Sequence, residues 1–386
     1  MLWISRSHMF RQLNSHYNRA VTDFRIRKAF NAQKWNDPNA FKVLIVSNNG
    51  NEGVRISKSQ TFPFHYFSKG FRDRWGAEFR QFYISDIDIQ ILQFPEDADM
   101  IFFQPWFTEG VEKIVSSLKL LKQRNPKSKI VFLDPYAPLD LRFAEAVTPL
   151  VDTYVKKHVF LDRTRYGVET QGDTNLVEYY EQLYDLPASS ARLFKVPQDF
   201  LSKILVGPSF FTAREMLTTF HSGAIPISKS KTYSVHARLG AKGAPWYQTM
   251  RERALLACKS FSGSGIVTSE SVSNSKYMRE LAQSRICFSP YGYGEVCWRD
   301  YEAIMCGALL VKPDMAHVQT DPDIFVPYET YVPVAWDFSD LAEKMNYYLA
   351  NDVARTKIVN RAYSTLYEYL QRDAFIDQFA VLFKQF

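Results

Sequence analysis

The chain contains 386 residues, of which 46% are hydrophobic and 23% are charged. This length is too great for one ordinary hydrophobic core and predicts two domains, and the composition excludes an intrinsically disordered chain. The formal net charge of +6 is too small to indicate nucleic-acid binding, although it is compatible with anionic small molecules or an anionic bilayer surface.

The spacing of the cysteines and the length of the apolar stretches bear on metal binding and on membrane insertion. Cys258, Cys287, Cys297 and Cys306 include no pair with the C-x-x-C spacing of a zinc site, so we expect buried free thiols in a reducing compartment. No apolar stretch reaches the roughly 18 residues that span a bilayer, and the N-terminus does not follow the pattern of a signal peptide. These features favour a cytoplasmic protein.

Residues 1–35 form a basic extension with apolar and aromatic side chains. Leu2, Trp3 and Phe10 are interspersed there with arginines such as Arg6 and Arg11. A basic amphipathic helix that lies peripherally on an anionic membrane is one interpretation. A helix packed against the body of the protein is the other, and the sequence leaves both open.

Strands and helices alternate over residues 36–225. The predicted strands are "FKVLIVSNNG", "DIQILQF", "DADMIFFQPW", "SKIVFLDPY" and "VDTYVKKHVF". The predicted helices are "FSKGFRDRWGAEFRQF", "VEKIVSSLKLLKQR", "NLVEYYEQLYDL" and "FLSKILVGPSFFTAREMLTTF". Strands that are apolar almost throughout indicate a parallel sheet covered on both faces, so we predict a Rossmann-like domain.

A second alternating series occupies residues 226–365, after a hinge predicted in "HSGAIPISKSK". Its strands include "TYSVHARL", "GIVTS", "RICFSP" and "ALLV", and residues 366–386 are predicted to end the chain as a helix that could return to the first domain. We therefore predict an α/β fold of two doubly wound domains. Their cleft would lie at the carboxyl ends of two parallel sheets, where ligands bind in such folds.

The segment "YGYGEVCWRDYEAIMCGALLVKPD", Tyr291–Asp314, is the most informative part of the chain. Gly292 and Gly294 stand where the chain leaves a predicted strand and enters a predicted helix. The free N–H groups and the positive dipole of such a helix start favour an anion.

Three charged residues accompany this helix start. At about 100° per residue, Glu295, Arg299 and Glu302 fall on one line, beside the buried stripe around Tyr301. An arginine fork suits a diphosphate, and a carboxylate suits the two hydroxyls of a ribose. Ordinary surface ion pairs along a helix are the alternative interpretation of the same spacing.

The same segment resembles the donor-binding segment of GT-B glycosyltransferases, in the exostosin-like and group 1 style. The shared features are the glycine loop, Arg299, Glu302 followed by Ala303, Gly307, and the strand "ALLVKP". The resemblance extends over roughly residues 230–350. It implies two Rossmann-like domains, a nucleoside diphosphate sugar on the C-terminal domain and an acceptor on the N-terminal domain.

The resemblance also assigns roles to residues. Glu302 would bind the ribose hydroxyls, and Arg299 would lie near the phosphates or the sugar. Members that retain the anomeric configuration carry two glutamates one position further apart than Glu295 and Glu302. Whether this chain retains or inverts the configuration therefore stays open.

Other candidates lie elsewhere in the two domains. Arg238 and Lys242 resemble the pair that holds the diphosphate in many GT-B enzymes, and Arg251 is an alternative for that task. His317 follows a strand and could contact the sugar, and Asp134 ends a strand and could be a general base. Solvated loop charges and a structural histidine are the competing interpretations.

These observations predict an enzyme that transfers a sugar to a hydroxyl of a glycan or lipid-linked acceptor. We expect no metal and no cofactor, because protein cations would meet the phosphate charge, and we expect no nucleic acid as a partner. Asp86 and Asp88 in "SDIDIQ" would be the metal-dependent alternative. A sugar-nucleotide epimerase, a phosphorylase or a non-catalytic glycan-binding protein on the same fold are the alternatives to this function.

Overall fold

The computed structural model describes residues 35–48, 54–84, 97–223, 231–371 and 373–384. The basic extension apart from Trp35, the segment with Asp86 and Asp88, and most of the proposed hinge lie outside the described residues. The predictions for them, including contact with a membrane surface, stay predictions. Within the described ranges, no helix is long and apolar enough to cross a membrane.

Nine strands are described in the N-terminal part of the chain, and six of them form its central sheet. They are β1 (Phe41–Asn48), β2 (Ala77–Ile84), β3 (Met100–Gln104), β4 (Lys129–Leu133), β5 (Thr153–Lys156), β6 (Val159–Phe160), β7 (Thr170–Gln171), β8 (Ala191–Arg192) and β9 (Ile204–Val206). The central sheet has the order β2-β1-β3-β4-β5-β9 and is parallel throughout. Every residue of β3 is buried, as expected for a strand covered on both faces.

Six α-helices are described in this domain. They are α1 (Val54–Tyr66), α2 (Ser68–Trp75), α3 (Val111–Arg124), α4 (Ala144–Val147), α5 (Asn175–Leu183) and α6 (Arg214–His221). Thr174 caps α5 through its hydroxyl, which accepts a hydrogen bond from the N–H of Val177.

The second domain has a sheet of five parallel strands. Its strands are β10 (Tyr233–Arg238), β11 (Ile266–Thr268), β12 (Ser284–Phe288), β13 (Leu309–Pro313) and β15 (Val332–Val334), and the short β14 (Val318–Gln319) stands apart from them. The order is β11-β10-β12-β13-β15. Successive strands are therefore added first on one side of β10 and then on the other, and such a switch point between β10 and β12 opens a crevice at the strand ends.

Helices cover this sheet and continue to the end of the chain. They are α7 (Pro245–Ala257), α8 (Asn274–Ala282), α9 (Trp298–Met305), α10 (Leu341–Ala350), α11 (Asp352–Gln371), α12 (Ala374–Gln378) and α13 (Ala380–Phe383). The predicted fold class, two Rossmann-like domains that face a cleft, is confirmed by these two parallel sheets.

The C-terminal helices α12 and α13 pack on the N-terminal domain. Phe375 and Phe379 lie 5.3 Å and 4.9 Å from the ring of Phe64, measured between ring centroids. Phe383 stacks on Trp75 at 5.0 Å. The chain thus crosses from the second domain back to the first, and the last helices complete the first domain's core.

A short antiparallel pair also joins the domains. Strand β6 of the first domain pairs with β14 of the second, with Phe160 opposite Val318. Nearby, the Tyr180 hydroxyl donates a hydrogen bond of 3.1 Å to the carbonyl of Trp336. Backbone pairing and a buried side chain therefore hold the two domains together beside the cleft.

Three predictions of local structure were wrong. "FLSKILVGPSFFTAREMLTTF" contains β9 between two short 3₁₀ turns and only then α6, because "ILV" adds a sixth strand beside β5. "FSKGFRDRWGAEFRQF" is helical only to Trp75, where Gly76 adopts a φ of +63° and ends α2 before β2. "VDTYVKKHVF" is not one strand but β5 and β6, which belong to different sheets.

Packing of the C-terminal helices predicts a strong dependence of stability on Phe379. The Phe379 side chain is fully buried, so Phe379→Ala should lower the free energy of unfolding by about 3–5 kcal/mol. Val381 in the same segment is 49% exposed, and Val381→Ala should cost less than about 0.5 kcal/mol. Urea unfolding of both variants measures the difference, and equal costs would show that the segment does not support the first domain.

Candidate active-site cleft

A cleft of about 840 Å³ lies between the two domains. The first domain contributes the loop after β4 and Lys157, which follows β5. The second domain contributes the loops after β10 and β12 and the first residues of α9. The cleft therefore lies at the carboxyl ends of both sheets, as the sequence predicted.

The glycine loop between β12 and α9 forms one wall of the cleft. The N–H of Gly292 donates to the carbonyl of Gly294 at 3.0 Å, which closes the loop on itself. A Cβ on Gly294 would stand 2.2 Å from the carbonyl oxygen of Ala137 in the first domain. Only glycine allows this approach, so the loop is shaped by contact with the other domain.

Helix α9 begins later than the sequence suggested. Cys297 is its N-cap, and the Asp300 carboxylate accepts a hydrogen bond of 2.8 Å from the Cys297 N–H. Glu295 consequently lies in the turn before α9 and not on one helical line with Arg299 and Glu302. The prediction of that line was wrong, because the capping residues start the helix at Trp298.

Two arginines line the cleft with unsatisfied donors. Arg299 donates to the carbonyl of Arg238 at 2.7 Å, and Arg251 donates to the carbonyl of Tyr291 at 2.5 Å. The Nε atom of each is buried and has no hydrogen-bond partner among the described residues. Burial lowers the pKa of Arg251, and the neighbouring charge of Arg299 lowers it further.

Two cations with free donors at one site, Arg251 buried and Arg299 partly buried, favour an anionic ligand. Their mutual repulsion and the desolvation of their donors are both relieved when an anion binds between them. Because α9 is buried and Arg299 faces the cleft, ordinary surface ion pairs do not account for this arrangement.

Glu302 lies one turn after Arg299 and also lines the cleft. Its side chain is only 5% exposed, so we place it in the buried part of α9, whereas we expected it to lie away from the buried stripe. Burial raises the pKa of the Tyr277 hydroxyl well above its usual range, and a hydrogen bond between Tyr277 and Glu302 contributes. A carboxylate held by a neighbouring hydroxyl therefore stands beside the two arginines.

Glu295 takes part in a buried contact between the domains. Its Oε2 lies 3.4 Å from Nε2 of His158, and its Oε1 has no partner within the described part of the chain. Burial raises the pKa of Glu295, and it lowers the pKa of His317 nearby to about 4. Gly294 and Val296 line the cleft, whereas Glu295 and His317 do not.

Asp134 does not occupy the position of a general base. Its Oδ2 accepts hydrogen bonds of 2.6 Å from both the Lys156 ammonium and the Tyr154 hydroxyl, and the carboxylate is fully buried. Its Oδ1 accepts from the N–H of Tyr136 at 2.7 Å. Internal partners thus satisfy the Asp134 carboxylate. The residues that follow it, Pro135 to Pro138, line the cleft instead.

Arg238 and Lys242 lie apart from the two arginines of the cleft. The Arg238 guanidinium forms a bidentate pair with Glu280, at 2.6 Å and 3.0 Å, and its side chain does not line the cleft. Lys242 is exposed on the loop between Gly240 and Ala244, both of which do line the cleft. Of the expected diphosphate residues, only Arg251 and Arg299 have free donors at the site.

The sequence reasoning missed Lys157 and the aromatic wall. Lys157 is 1% exposed, donates to the carbonyl of Pro135 at 2.6 Å and lines the cleft. Tyr247 and Tyr293 stack at 4.6 Å on the opposite side of the domain junction. The sequence did carry a signal for Lys157: two adjacent lysines end the buried strand "TYVKK", and lysines are almost never buried without a partner.

Part of the chain is similar to a known protein family. Residues 230–378 match the family model described as glycosyl transferase-like. This segment contains the second sheet, the glycine loop and α9. No curated protein sequence matches the chain.

Solved structures agree with the fold. An alpha-glucosyltransferase in complex with UDP-glucose and DNA containing an abasic site is 12% identical, with a TM-score of 0.50, over 88% of this chain and 99% of that one. TarM from S. aureus is 10% identical with a TM-score of 0.41, over 73% and 55% of the two chains. A trehalose-phosphate synthase from Burkholderia vietnamiensis is 10% identical with a TM-score of 0.40, over 89% and 100%. The chain has the GT-B fold of the alpha-glucosyltransferase, and its residues 230–378 are similar to glycosyl transferases.

The two arginines of the cleft should bind a nucleoside diphosphate through their planar forks. Arg299→Lys and Arg251→Lys keep the charge but lose the fork, so each should weaken UDP binding roughly 10- to 150-fold, the equivalent of one charged hydrogen bond. Arg253→Lys, an exposed change on the same helix as Arg251, should leave the affinity within about twofold. Isothermal titration measures these affinities, and unchanged UDP binding in both cleft variants would place the anion site elsewhere.

Proposed function

We propose that this chain is a glycosyltransferase that moves a sugar from a nucleoside diphosphate sugar to a hydroxyl of a glycan or lipid-linked acceptor, without a metal ion. The observation that carries the proposal is the pair of arginines whose buried Nε atoms have no partner among the described residues, together with the buried carboxylate of Glu302 one turn after Arg299. Cations for a diphosphate and an acceptor for two ribose hydroxyls are what a nucleoside diphosphate requires.

The arrangement supports one orientation of the donor. The diphosphate would lie at Arg251 and Arg299 and the ribose at Glu302, in the second domain. The sugar would then lie toward the loop 135–138 and Lys157 of the first domain, since these residues form the facing wall. The acceptor would approach from that side.

Sugar transfer requires stabilisation of the leaving group, which is the nucleoside diphosphate. When the bond between the sugar and the diphosphate breaks, negative charge grows on the phosphate oxygens. Preorganised cations in a site with little water stabilise this charge more in the transition state than in the bound donor. Arg299, Arg251 and Lys157 are the residues placed to do so.

Metal independence is part of the proposal and rests on these cations. Across the residues that the structure describes, no group of three or more His, Cys, Asp or Glu side chains is arranged to hold a metal ion. Asp86 and Asp88 are not among those residues. Transfer activity that requires Mg²⁺ or Mn²⁺ would therefore direct attention to them.

The alternatives differ in their products. An epimerase would return an altered sugar nucleotide, a phosphorylase would require free phosphate, and a glycan-binding protein would show no turnover. The alpha-glucosyltransferase that shares this fold was solved with UDP-glucose, so uridine donors are the first to test. That structure also contains DNA, and the exclusion of nucleic acid for this chain stays a prediction.

A donor panel in EDTA tests the proposal. UDP, GDP, CMP and ADP sugars are added to the protein, and one class should raise the melting temperature by a few degrees through binding to the native state. Glu302→Gln should lose most of this increase, because the amide has one acceptor oxygen where the carboxylate has two, and it carries no charge. Glu252→Gln, exposed on α7, is the matched control.

The outcomes of this panel separate the hypotheses. No increase with any donor, or an increase that Glu302→Gln retains in full, would contradict the proposed donor site. An increase that appears only with added Mg²⁺ would contradict metal independence alone. Incubation of the bound donor with glycan acceptors then distinguishes transfer from epimerisation.

Lys157 predicts a pH dependence of donor binding. Burial lowers the pKa of this ammonium to about 7, so the group is charged below that pH and neutral above it. If the charge contacts the donor, affinity for UDP-glucose should fall by up to about tenfold between pH 6 and pH 8. The diphosphate diester of a sugar nucleotide does not titrate in this interval.

The control for this prediction is Lys157→Met, which keeps the length of the side chain and removes the charge. Its affinity should be low and should not change over the same pH interval. A variant whose pH profile runs parallel to that of the native protein would show that Lys157 does not contact the donor.

A further inference from the structure

A second pocket, which we call the side pocket, lies next to the cleft in the first domain. It is formed within residues 140–196 and has a volume of about 100 Å³. Asp173 and Thr174 line both the side pocket and the cleft. The two pockets therefore adjoin on the acceptor side of the cleft.

Aromatic side chains form part of the side pocket. Phe160, Tyr166 and Phe194 line it, and the rings of Phe160 and Tyr166 pack edge to face at 5.1 Å. The Tyr166 hydroxyl is held in place because it accepts from the N–H of Phe160 and donates to the carbonyl of Leu139, both at 3.1 Å. The pocket thus offers a rigid apolar surface.

A residue in the wall of the same pocket carries a buried amide with a free donor. Asn175 lines the side pocket, its side chain is 8% exposed, and its Nδ2 has no hydrogen-bond partner among the described residues. Such a group costs free energy unless a ligand or water accepts its hydrogen bond. It is a polar side chain, nine-tenths buried, that lacks only a ligand.

Acceptor oxygens lie beside this donor. Asp173 is 35% exposed and is held by Arg142 at 3.3 Å, so its carboxylate retains free lone pairs. Glu178 accepts one hydrogen bond of 3.3 Å from the N–H of Gln171. A hydroxyl group both donates and accepts, so a polyhydroxylated ligand can satisfy the amide and the carboxylates together.

The charge of the side pocket argues against a phosphate or a nucleotide. Its lining contains three acids and two arginines: Asp140, Asp173, Glu178, Arg165 and Arg192. Arg165 packs over the ring of Phe160 at 4.6 Å. Arg142 pairs with Asp140 and Asp173, so acids and arginines balance and the pocket gives an anion no net attraction. The apolar face of a sugar ring, surrounded by hydroxyls, fits an aromatic surface with a polar rim.

We propose that the side pocket binds a saccharide unit of the acceptor, next to the unit that receives the transferred sugar. The inference rests on the proposed function and extends it, because it selects an oligosaccharide or glycan chain as the acceptor class. A lone monosaccharide would reach the cleft but leave Asn175 without its partner.

Glycan binding tests the side pocket separately from the donor site. The full chain, with UDP present, is applied to an array of neutral mono-, di- and tetrasaccharides of glucose, galactose, mannose and N-acetylglucosamine. At least one oligosaccharide series should bind about tenfold more tightly than its monosaccharide, as one additional hydrogen-bonded unit implies. Asn175→Leu should remove this advantage.

Matched variants keep the test decisive. Gln182→Leu, an exposed change on the same helix, should bind as the native protein does. If Asn175→Leu does not fold, Phe194→Ala tests the aromatic surface of the same pocket. Both pocket variants should retain the increase in melting temperature with UDP.

Three results would overturn the proposal. They are absence of binding to every oligosaccharide on the array, equal binding of monosaccharide and oligosaccharide, and undiminished oligosaccharide binding in a folded pocket variant. In each case a retained response to UDP would leave the donor site intact. If the native protein showed no increase in melting temperature with UDP, the proposed function itself would be contradicted.

Discussion

The close approach of Gly294 to the carbonyl of Ala137 is the constraint on which the site depends. There is no room for a side chain at this point, because a Cβ would stand 2.2 Å from the carbonyl oxygen. The backbone of the second domain therefore lies directly against the loop 135–138 of the first. One wall of the cleft comes from each domain, so a bound donor would contact both. The contact between Glu295 and His158 and the pairing of β6 with β14 belong to the same junction.

A second connection fixes how the domains are related. Helix α11 leads out of the second domain, and α12 and α13 bury Phe375, Phe379 and Phe383 among the aromatic side chains of the first. Aromatic pairs contribute beyond the area that they bury. The chain thus joins the domains at its end as well as at the cleft, and the geometry of the cleft depends on packing far from it.

Buried charges divide into those that are internally satisfied and those that are not. Asp134 pairs with Lys156 at 2.6 Å, Asp300 pairs with Lys312 at 3.2 Å, and these pairs hold the strand ends in place. Arg251 and Arg299 instead each retain at the cleft a donor that has no partner in the described part of the chain. A buried donor that the protein does not satisfy is costly, and a ligand that satisfies it gains the corresponding free energy. This contrast separates the charges that are satisfied inside the protein from those that we propose to bind the donor.

The sequence by itself determined the two parallel sheets and the position of the glycine loop, Arg299 and Glu302 at the cleft, because apolar strands, glycines and helix starts are encoded by neighbouring residues. Only the tertiary structure decided which charges face the cleft. Asp134 and Arg238 have the chemistry of site residues, yet Lys156 and Glu280, both distant in sequence, occupy them. Lys157 and Asn175 were not among the residues predicted from the sequence, and they line the cleft and the side pocket, respectively. Whether a charged or polar group is satisfied inside the protein or left available to a ligand depends on partners that come together only when the chain folds.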